Sequence, residues 1–259
     1  MKLYLSSVLI NFCHGDNPSI PHVPYLLGSF FYLRKVQKDK KAWVLEQISA
    51  QAPEDFLLDS GAFSFLTGTQ IPDIDLYLED YARFIKDNNI KQYFEMDIDS
   101  IVGLPKVEEY RKYLEKETGV PSIPVWHLSR GKEYFIRMCR EYSYIALGGI
   151  ASKEYGSKLY KYFPWFIKTA HENNCEIHGL GYTGKGLLKY RFDSVDSTSW
   201  LAGVKYGRLP YFDRDTCKIK IIPKPKNSKL QIKAKGTYLR AGVIEWVKYA
   251  KYLARVTGE

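Results

Sequence analysis

The sequence has little of what marks secreted, zinc-binding or membrane-spanning proteins. Its 259 residues include four widely separated cysteines and no CxxC or CxC pair, so a structural zinc site of ordinary spacing is not indicated. Thiols so dispersed predict free cysteines in a reducing cytoplasm. No apolar run approaches the roughly 20 residues of a membrane helix. The start of the chain, MKLYLSSVLINFCHGD, lacks the basic lead-in and cleavage site of a signal peptide. We therefore expect a cytoplasmic protein with no membrane partner.

Two common cofactor motifs are also missing. No GxGxxG follows a predicted strand, which argues against a dinucleotide-binding fold. No HxH or HExxH occurs, which argues against a metal centre. We expect neither a cofactor nor a metal ion.

The composition indicates a core and a polyanionic partner. Hydrophobic residues make up 45% of the chain, and aromatic residues make up 15%. The aromatic side chains suit either core packing or base stacking, and composition does not separate the two. The net charge of +9 favours binding to nucleic acid, although charge alone is a weak signal.

Short apolar runs alternate with amphipathic stretches along the chain. Seven strands are predicted, at residues 2–10, 56–63, 92–99, 122–128, 144–150, 175–182 and 192–200. Helices with apolar residues at three- and four-residue spacing are predicted at 73–89, 106–119, 131–142, 156–174 and 244–256. This alternation predicts a parallel sheet. With an eighth strand after residue 200, it predicts a single-domain (β/α)8 TIM-type barrel over residues 1–259. An open, doubly wound sheet is the alternative.

The tail from Lys218 to Arg240 is basic and predicted to form a hairpin around PKPKNSK. It holds eight lysines or arginines and no acidic residue. It is either a solvated edge hairpin guarded by lysines or an arm that contacts phosphates. The arm would use Lys218, Lys220, Lys224, Lys226, Lys229, Lys233 and Lys235.

Polar residues recur where the predicted strands end, which is where such barrels carry their chemistry. They are Asp59 and Ser60, Glu95, Asp97 and Asp99, His127, Gly148 and Gly149, His178 and Gly179, and Asp193 and Asp196. Polar groups at the end of an apolar strand need hydrogen-bond partners or a ligand. Singly, each has a structural explanation, such as a helix cap at Asp59 or a satisfied buried histidine at His178. Together they predict one site.

Five of these segments, in order, resemble the tRNA-guanine transglycosylases, which include the queuine tRNA-ribosyltransferases. They are DSGAF at 59–63, MDID at 96–99, LGGIA at 147–151, HGLGYT at 178–183 and RFDSVDS at 191–197. The resemblance covers about residues 55–200. The chain is shorter than the tRNA enzymes and lacks their zinc subdomain. It therefore looks more like the phage and bacterial 7-deazaguanine DNA transglycosylases, and a phage-encoded chain would work in the host cytoplasm.

The resemblance implies base exchange: guanine in DNA is replaced by a free 7-deazaguanine base of the preQ0 or preQ1 type. It implies Asp196 as the nucleophile that holds the sugar covalently, with Asp193 as the alternative, and Asp59 as the general acid/base. Asp97 would read the purine N1 and amine edge, and the Gly148 and Gly149 amides would face O6. The remaining base contacts would come from Ser60, Phe63, Asp99, His127, His178 and Gly179.

For the DNA substrate, double-stranded DNA would have to present a flipped base, and the basic arm would hold its backbone.

Other functions stay open. The same exchange on tRNA is the first alternative. A metal-dependent barrel hydrolase using Asp59, Asp97 and His178, or a barrel that only binds nucleic acid, are the others.

Overall fold

The computed structural model describes residues 1–13, 20–52, 55–62, 64, 73–152, 156–184, 186–222 and 235–258. Within them, seven strands form one parallel sheet in the order β3-β2-β1-β7-β6-β5-β4. The strands are β1 (Lys2–Ser6), β2 (Leu26–Ser29), β3 (Phe56–Asp59), β4 (Val125–Trp126), β5 (Tyr144–Leu147), β6 (Glu176–Gly179) and β7 (Ser194–Ser197). The predicted α/β class with a parallel sheet is confirmed.

Helices connect most of the strands. They are α1 (Val8–Phe12), α2 (Phe30–Leu33), α3 (Lys38–Ser49), α4 (Ile74–Asp87), α5 (Asp99–Val102), α6 (Leu104–Thr118), α7 (Gly131–Glu141), α8 (Gly156–Leu159), α9 (Phe163–Glu172), α10 (Ala202–Tyr206) and α11 (Lys235–Thr257). The helices predicted at 73–89, 106–119 and 131–142 are confirmed as α4, α6 and α7, whereas the helix predicted at 156–174 is divided into α8 and α9 and α3 was not predicted. Asp73 caps α4 by accepting from the Leu76 amide. None of the described helices combines the length and apolarity needed to cross a membrane.

The sheet curls so that its two edge strands, β3 and β4, approach the same short segment. Tyr93 forms an isolated parallel bridge with Leu58 of β3, and Phe94 forms another with Ile123, just before β4. The Leu58 amide donates to Gln92 O at 3.0 Å, and the Ile123 amide donates to Tyr93 O at 2.8 Å. The strand predicted at 92–99 is thus reduced to these two bridges.

Two strand predictions differ from the structure. Strand β2 was missed, because its four residues, LLGS, run directly into α2 and show no alternation. The predicted eighth sheet strand after residue 200 is wrong, because β8 (Leu209–Asp213) pairs antiparallel with β9 (Lys218–Ile222) in a separate sheet. This hairpin packs on α11 through Phe212, whose ring lies 5.8 Å from Tyr249 and 5.6 Å from Tyr252.

The hairpin of β8 and β9 lies at a different position from the hairpin predicted for the basic arm. Its turn lies between Asp213 and Lys218, upstream of the predicted PKPKNSK turn, and residues 235–240 are helical. Lys218 and Lys220 lie on β9, and Lys220 pairs with Asp213. Lys235 begins α11. The remaining lysines of the predicted arm lie outside the described residues: Lys224, Lys226, Lys229 and Lys233.

Strand alternation divides the core into an inner and an outer layer. The inner cluster consists of Tyr4, Leu27, Leu57, Phe94, Ile123, Val125 and Ala146. The next residue of the same parity along a strand lies closer to its carboxyl end on the same face. By this parity Ser6, Ser29, Asp59, His127 and Gly148 follow the inner cluster toward the sheet's carboxyl edge, and Asp196 shares the inward parity of Ser194. The sheet therefore collects polar groups at one rim.

Candidate active site

Asp196 lies on the inward face of β7 and is held by three donors. Its Oδ1 accepts from the Gly181 amide at 2.6 Å and from His178 Nε2 at 3.3 Å, and its Oδ2 accepts from Ser6 Oγ at 2.7 Å. Burial acts to raise the pKa of Asp196, but the His178 and Gly181 contacts outweigh it and hold the pKa below its ordinary value. The side chain is therefore an ionised carboxylate at neutral pH, with 13% of its surface exposed.

Asp59, at the end of β3, has the opposite electrostatic setting. Its Oδ2 accepts from the Gly61 amide at 3.0 Å. Burial, and then the negative charge of Asp97, raise the pKa of Asp59 to about 7. The Ser29 hydroxyl beside it works against this rise, although its geometry falls short of a hydrogen bond within the described residues. A carboxyl with this pKa exchanges a proton readily at physiological pH.

Asp97 and His127 form a pair at the same rim. His127 Nε2 donates to Asp97 Oδ2 at 2.8 Å. Burial opposes the positive charge of His127, but Asp97 outweighs it and raises the pKa of His127 above 6.5. The ring packs against Gly148, where a Cβ would come within 2.6 Å of His127 Cε1. Gly148 therefore makes room for the histidine.

The Gly148 amide is not available to a ligand, because it donates to Trp126 O at 2.8 Å within the sheet. This corrects the expectation that both glycine amides face the base. Gly149 adopts a φ of 75°, a conformation that favours glycine, and its amide has no acceptor among the described residues. Of the two, only Gly149 offers a donor.

Asp99 belongs to a buried ion network rather than to the rim. Arg130 Nη2 donates to Asp99 Oδ1 at 3.0 Å, and Arg130 Nη1 donates to Glu95 Oε1 at 2.6 Å. Glu95 Oε2 also accepts from Arg111 Nε at 2.7 Å, and Glu95 Oε1 accepts from the Val125 amide at 2.8 Å. The network pins β4 beside the Asp97 and His127 pair. Arg130 thus engages both oxygens of Asp99, and a contact of Asp99 with the substrate stays a prediction.

His178 and Asp193 also lie away from the rim. His178 is fully buried, with Ser194 Oγ 2.7 Å from Nδ1 and Asp196 on Nε2, so neither nitrogen is open to a substrate. Asp193 precedes β7 at its amino end, where its Oδ2 accepts from the Ile177 amide at 2.8 Å and from His171 Nε2 at 3.0 Å. At about 3.3 Å per strand residue, it is about 10 Å from Asp196 along the chain.

The remaining predicted residues support the rim or lie elsewhere. Ser60 is buried, and its Oγ accepts from the Ala62 amide at 3.4 Å. Gly179 is packed against Phe192, with a Cβ position 3.3 Å from that ring. Phe63 lies outside the described residues. A separate depression of about 510 Å³ lies at the other end of the sheet beside Asp193 and His171.

Three contributors escaped the sequence analysis. Ser6 ends β1 and Ser29 ends β2, so both share the inward parity, but single serines in apolar strands give no signal of their own. Arg130 follows His127 by three residues, and its partners Glu95 and Asp99 lie more than 30 residues upstream. Only the register of the strands brings them together.

No group of three or more His, Cys, Asp or Glu side chains in the described part of the chain is arranged to hold a metal ion. Comparison with protein-family models gives no match, and comparison with curated proteins gives none either.

Proposed function

We propose that the chain is a base-exchange glycosyltransferase that replaces guanine in DNA with a 7-deazaguanine base. The observation that carries the proposal is the pair of inward carboxyl groups with opposite pKa shifts, Asp196 ionised and Asp59 near 7. Two titratable groups whose environments push their pKa values apart are typical of a nucleophile and a general acid.

The fold offers these groups a suitable frame, which we propose to be a closed (β/α)8 barrel. The bridges of Tyr93 to Leu58 and of Phe94 to Ile123 support closure, because they link the two edge strands through one segment. The segment that contains Tyr93 and Phe94 would be the fourth of eight barrel strands, and β2 would be the second. The inward carboxyl groups would then face one another across the barrel mouth.

The chemistry requires two groups on opposite sides of the sugar. Asp196 attacks C1′, the C1′–N9 bond breaks, and its electron pair leaves with guanine, which takes a proton from Asp59. The entering base gives its N9 proton to the Asp59 carboxylate, and N9 then attacks C1′ and releases Asp196. Strands β7 and β3 are separated by β1 and β2 in the sheet order, which places nucleophile and acid apart.

Base recognition would use the Asp97 and His127 pair with the Gly149 amide. Asp97 Oδ2 already accepts from His127, and its other oxygen is suited to the N1–H and amine donors of a guanine-type base. The Gly149 amide is a donor suited to a carbonyl oxygen such as O6. A flipped nucleotide would bring this edge to the rim.

The preference for DNA rests on the resemblance to the compact, zinc-free enzymes and on a basic surface. Exposed basic and aromatic side chains on α10 and the hairpin are Lys205, Tyr206, Arg208, Tyr211, Arg214 and Lys218. Tyr206 is 67% exposed and lies 5.9 Å from the Arg208 guanidinium carbon. Such a surface suits a phosphate backbone.

The proposal is tested by incubating the purified protein with duplex DNA or tRNA and a panel of 7-deazaguanine bases. Mass spectrometry of the digested nucleosides then detects a replaced guanine. Asp196→Ala should abolish replacement, whereas Asp193→Asn, three residues away on the far side of β7, should retain it.

Each other outcome points to a different function. Replacement in tRNA alone would keep the mechanism and change the substrate. Loss of activity in Asp193→Asn together with an active Asp196→Ala would reverse the choice of nucleophile. Chelator-sensitive hydrolysis without exchange would favour a metal-dependent hydrolase. DNA binding with no reaction would favour a protein that only binds nucleic acid.

A further inference from the structure

We infer that His178 is a positioning residue for Asp196 and that Ser194 and Tyr144 fix its orientation from inside the barrel. The inference rests on the proposed function, in which the Asp196 carboxylate is the nucleophile and must be held in place for attack on C1′. It replaces the idea that His178 touches the base.

A continuous chain of hydrogen bonds leads from the interior to the rim. Tyr144 OH bonds to Ser194 Oγ, which lies 2.7 Å from His178 Nδ1, and His178 Nε2 lies 3.3 Å from Asp196 Oδ1. Both His178 and Ser194 are buried, at 0% and 2% exposure. Neither histidine nitrogen reaches solvent or a substrate, so the ring acts only through its neighbours.

We assign the donors along this chain by starting from Asp196 and placing a single hydrogen on the His178 ring. The Asp196 carboxylate has no proton to give, so His178 Nε2 carries the hydrogen. Nδ1 then accepts from Ser194 Oγ, and Ser194 accepts from Tyr144 OH. Each hydroxyl donates toward the rim, and the tautomer with hydrogen on Nε2 is the one this order selects.

The His178 ring is packed among three residues of the inner layer. Phe94 lies 5.3 Å and Tyr4 lies 6.1 Å from the His178 ring, centroid to centroid, on neighbouring parts of the inner layer. Ala146 of β5 stands beside His178 in register. A ring held this way delivers its Nε2 hydrogen to one place.

The effect on Asp196 is to distinguish its two oxygens. Oδ1 receives both the Gly181 amide and His178, whereas Oδ2 receives Ser6 alone. Oδ2 is therefore the less engaged oxygen and the one assigned to attack C1′. Without His178 the carboxylate would lose a donor and gain rotational freedom, and small misplacements of a reacting group cost about 100-fold in rate.

Three variants test the inference. His178→Phe keeps a flat ring but removes both nitrogens, and His178→Gln keeps one donor directed at Asp196. Ser194→Ala removes the hydroxyl that donates to His178 Nδ1. The matched control is Ser122→Ala, because Ser122 is equally buried at 2% and its hydroxyl donates to Glu115 at 2.9 Å, away from the rim.

Exchange kinetics and nitrogen NMR are the two readouts. We expect kcat to fall about 100-fold in His178→Phe with little change in KM for the base, and about tenfold in Ser194→Ala, with substantial recovery in His178→Gln. The control should match the wild type. Nitrogen-15 NMR of the wild type should show the Nε2–H tautomer, and Ser194→Ala should weaken that preference.

The outcomes separate this inference from the proposed function. A wild type without exchange activity defeats the proposed function, and the NMR experiment still decides the orientation of His178. An active wild type with unchanged kcat in a folded His178→Phe, or with hydrogen on Nδ1, overturns the inference. If His178→Phe fails to fold, Ser194→Ala and the tautomer decide it.

Discussion

Replacing Asp59 with Asn should stabilise the protein at neutral pH and leave it unchanged in acid. Asn keeps an oxygen that can accept from the Gly61 amide but has no charge to desolvate. Burial and the neighbouring Asp97 raise the pKa of Asp59 from 3.8 to about 7, so the folded protein disfavours its ionised form. The variant removes that cost.

The sign and size follow from proton linkage. Below pH 3.8 Asp59 is protonated in both the folded and the unfolded chain. As pH rises toward 7, the unfolded chain ionises first, and stability falls by roughly 1.4 kcal/mol per pH unit. The full cost would be about 4 kcal/mol, and solvent screening of a half-buried carboxyl reduces our expectation to about 2 kcal/mol.

Urea unfolding of wild type and Asp59→Asn at several pH values between 4 and 8.5 measures the difference. The gain in free energy of unfolding should grow from near zero at pH 4 and level off above about pH 7. Base exchange should be lost in the same variant, because Asn cannot transfer the proton.

Asp99→Asn is a control that should change the free energy of unfolding at neutral pH in the opposite direction. Burial acts to raise the pKa of Asp99, but Arg130 outweighs it and lowers the pKa. Its ionised form therefore stabilises the fold at neutral pH, and this contribution is lost as pH falls. A gain for Asp59→Asn that is independent of pH, or a loss at pH 8, would refute the electrostatic reasoning.

Three further predictions concern the surroundings of the rim. Gly148→Ala should push away the His127 ring, which its Cβ would approach to 2.6 Å, and raise the KM for the base about tenfold without unfolding the protein. Lys218→Ala should reduce the slope of the logarithm of the DNA-binding constant against the logarithm of salt concentration by about 1. Lys220→Ala should change this slope less, because Lys220 already pairs with the Asp213 carboxylate. Arg130→Met should cost about 1.5–3 kcal/mol in free energy of unfolding, measured in urea, because it removes one of the two arginine partners of the fully buried Glu95. An unchanged KM in Gly148→Ala would contradict the first expectation, and equal salt slopes in the two lysine variants would contradict the second. A loss of stability below about 1 kcal/mol in Arg130→Met would contradict the third.

Much of the local structure is visible in the sequence. Apolar spacing identified α4, α6, α7, α9 and α11 and the positions of most strands, because burial of one face imposes a period along the chain. It did not identify α3, whose buried residues are Val44 and Ile48. The rule that parallel strands carry chemistry at their carboxyl ends gave Asp59, Asp97 and Asp196 as candidates, together with Asp99 and Asp193. The strand β2 was beyond reach, because its four residues are too few to show a period.

The sequence by itself determined the α/β alternation, the charge and the candidate carboxylates. Only the tertiary structure decided which of them share a rim, since that depends on strand register and on partners far along the chain. It placed Asp193 at the amino end of β7, committed Asp99 to Arg130, and buried His178 beneath Asp196. The protonation of Asp59 and Asp196 was decided there too, because desolvation and charge pairing act through space and leave no trace in local spacing.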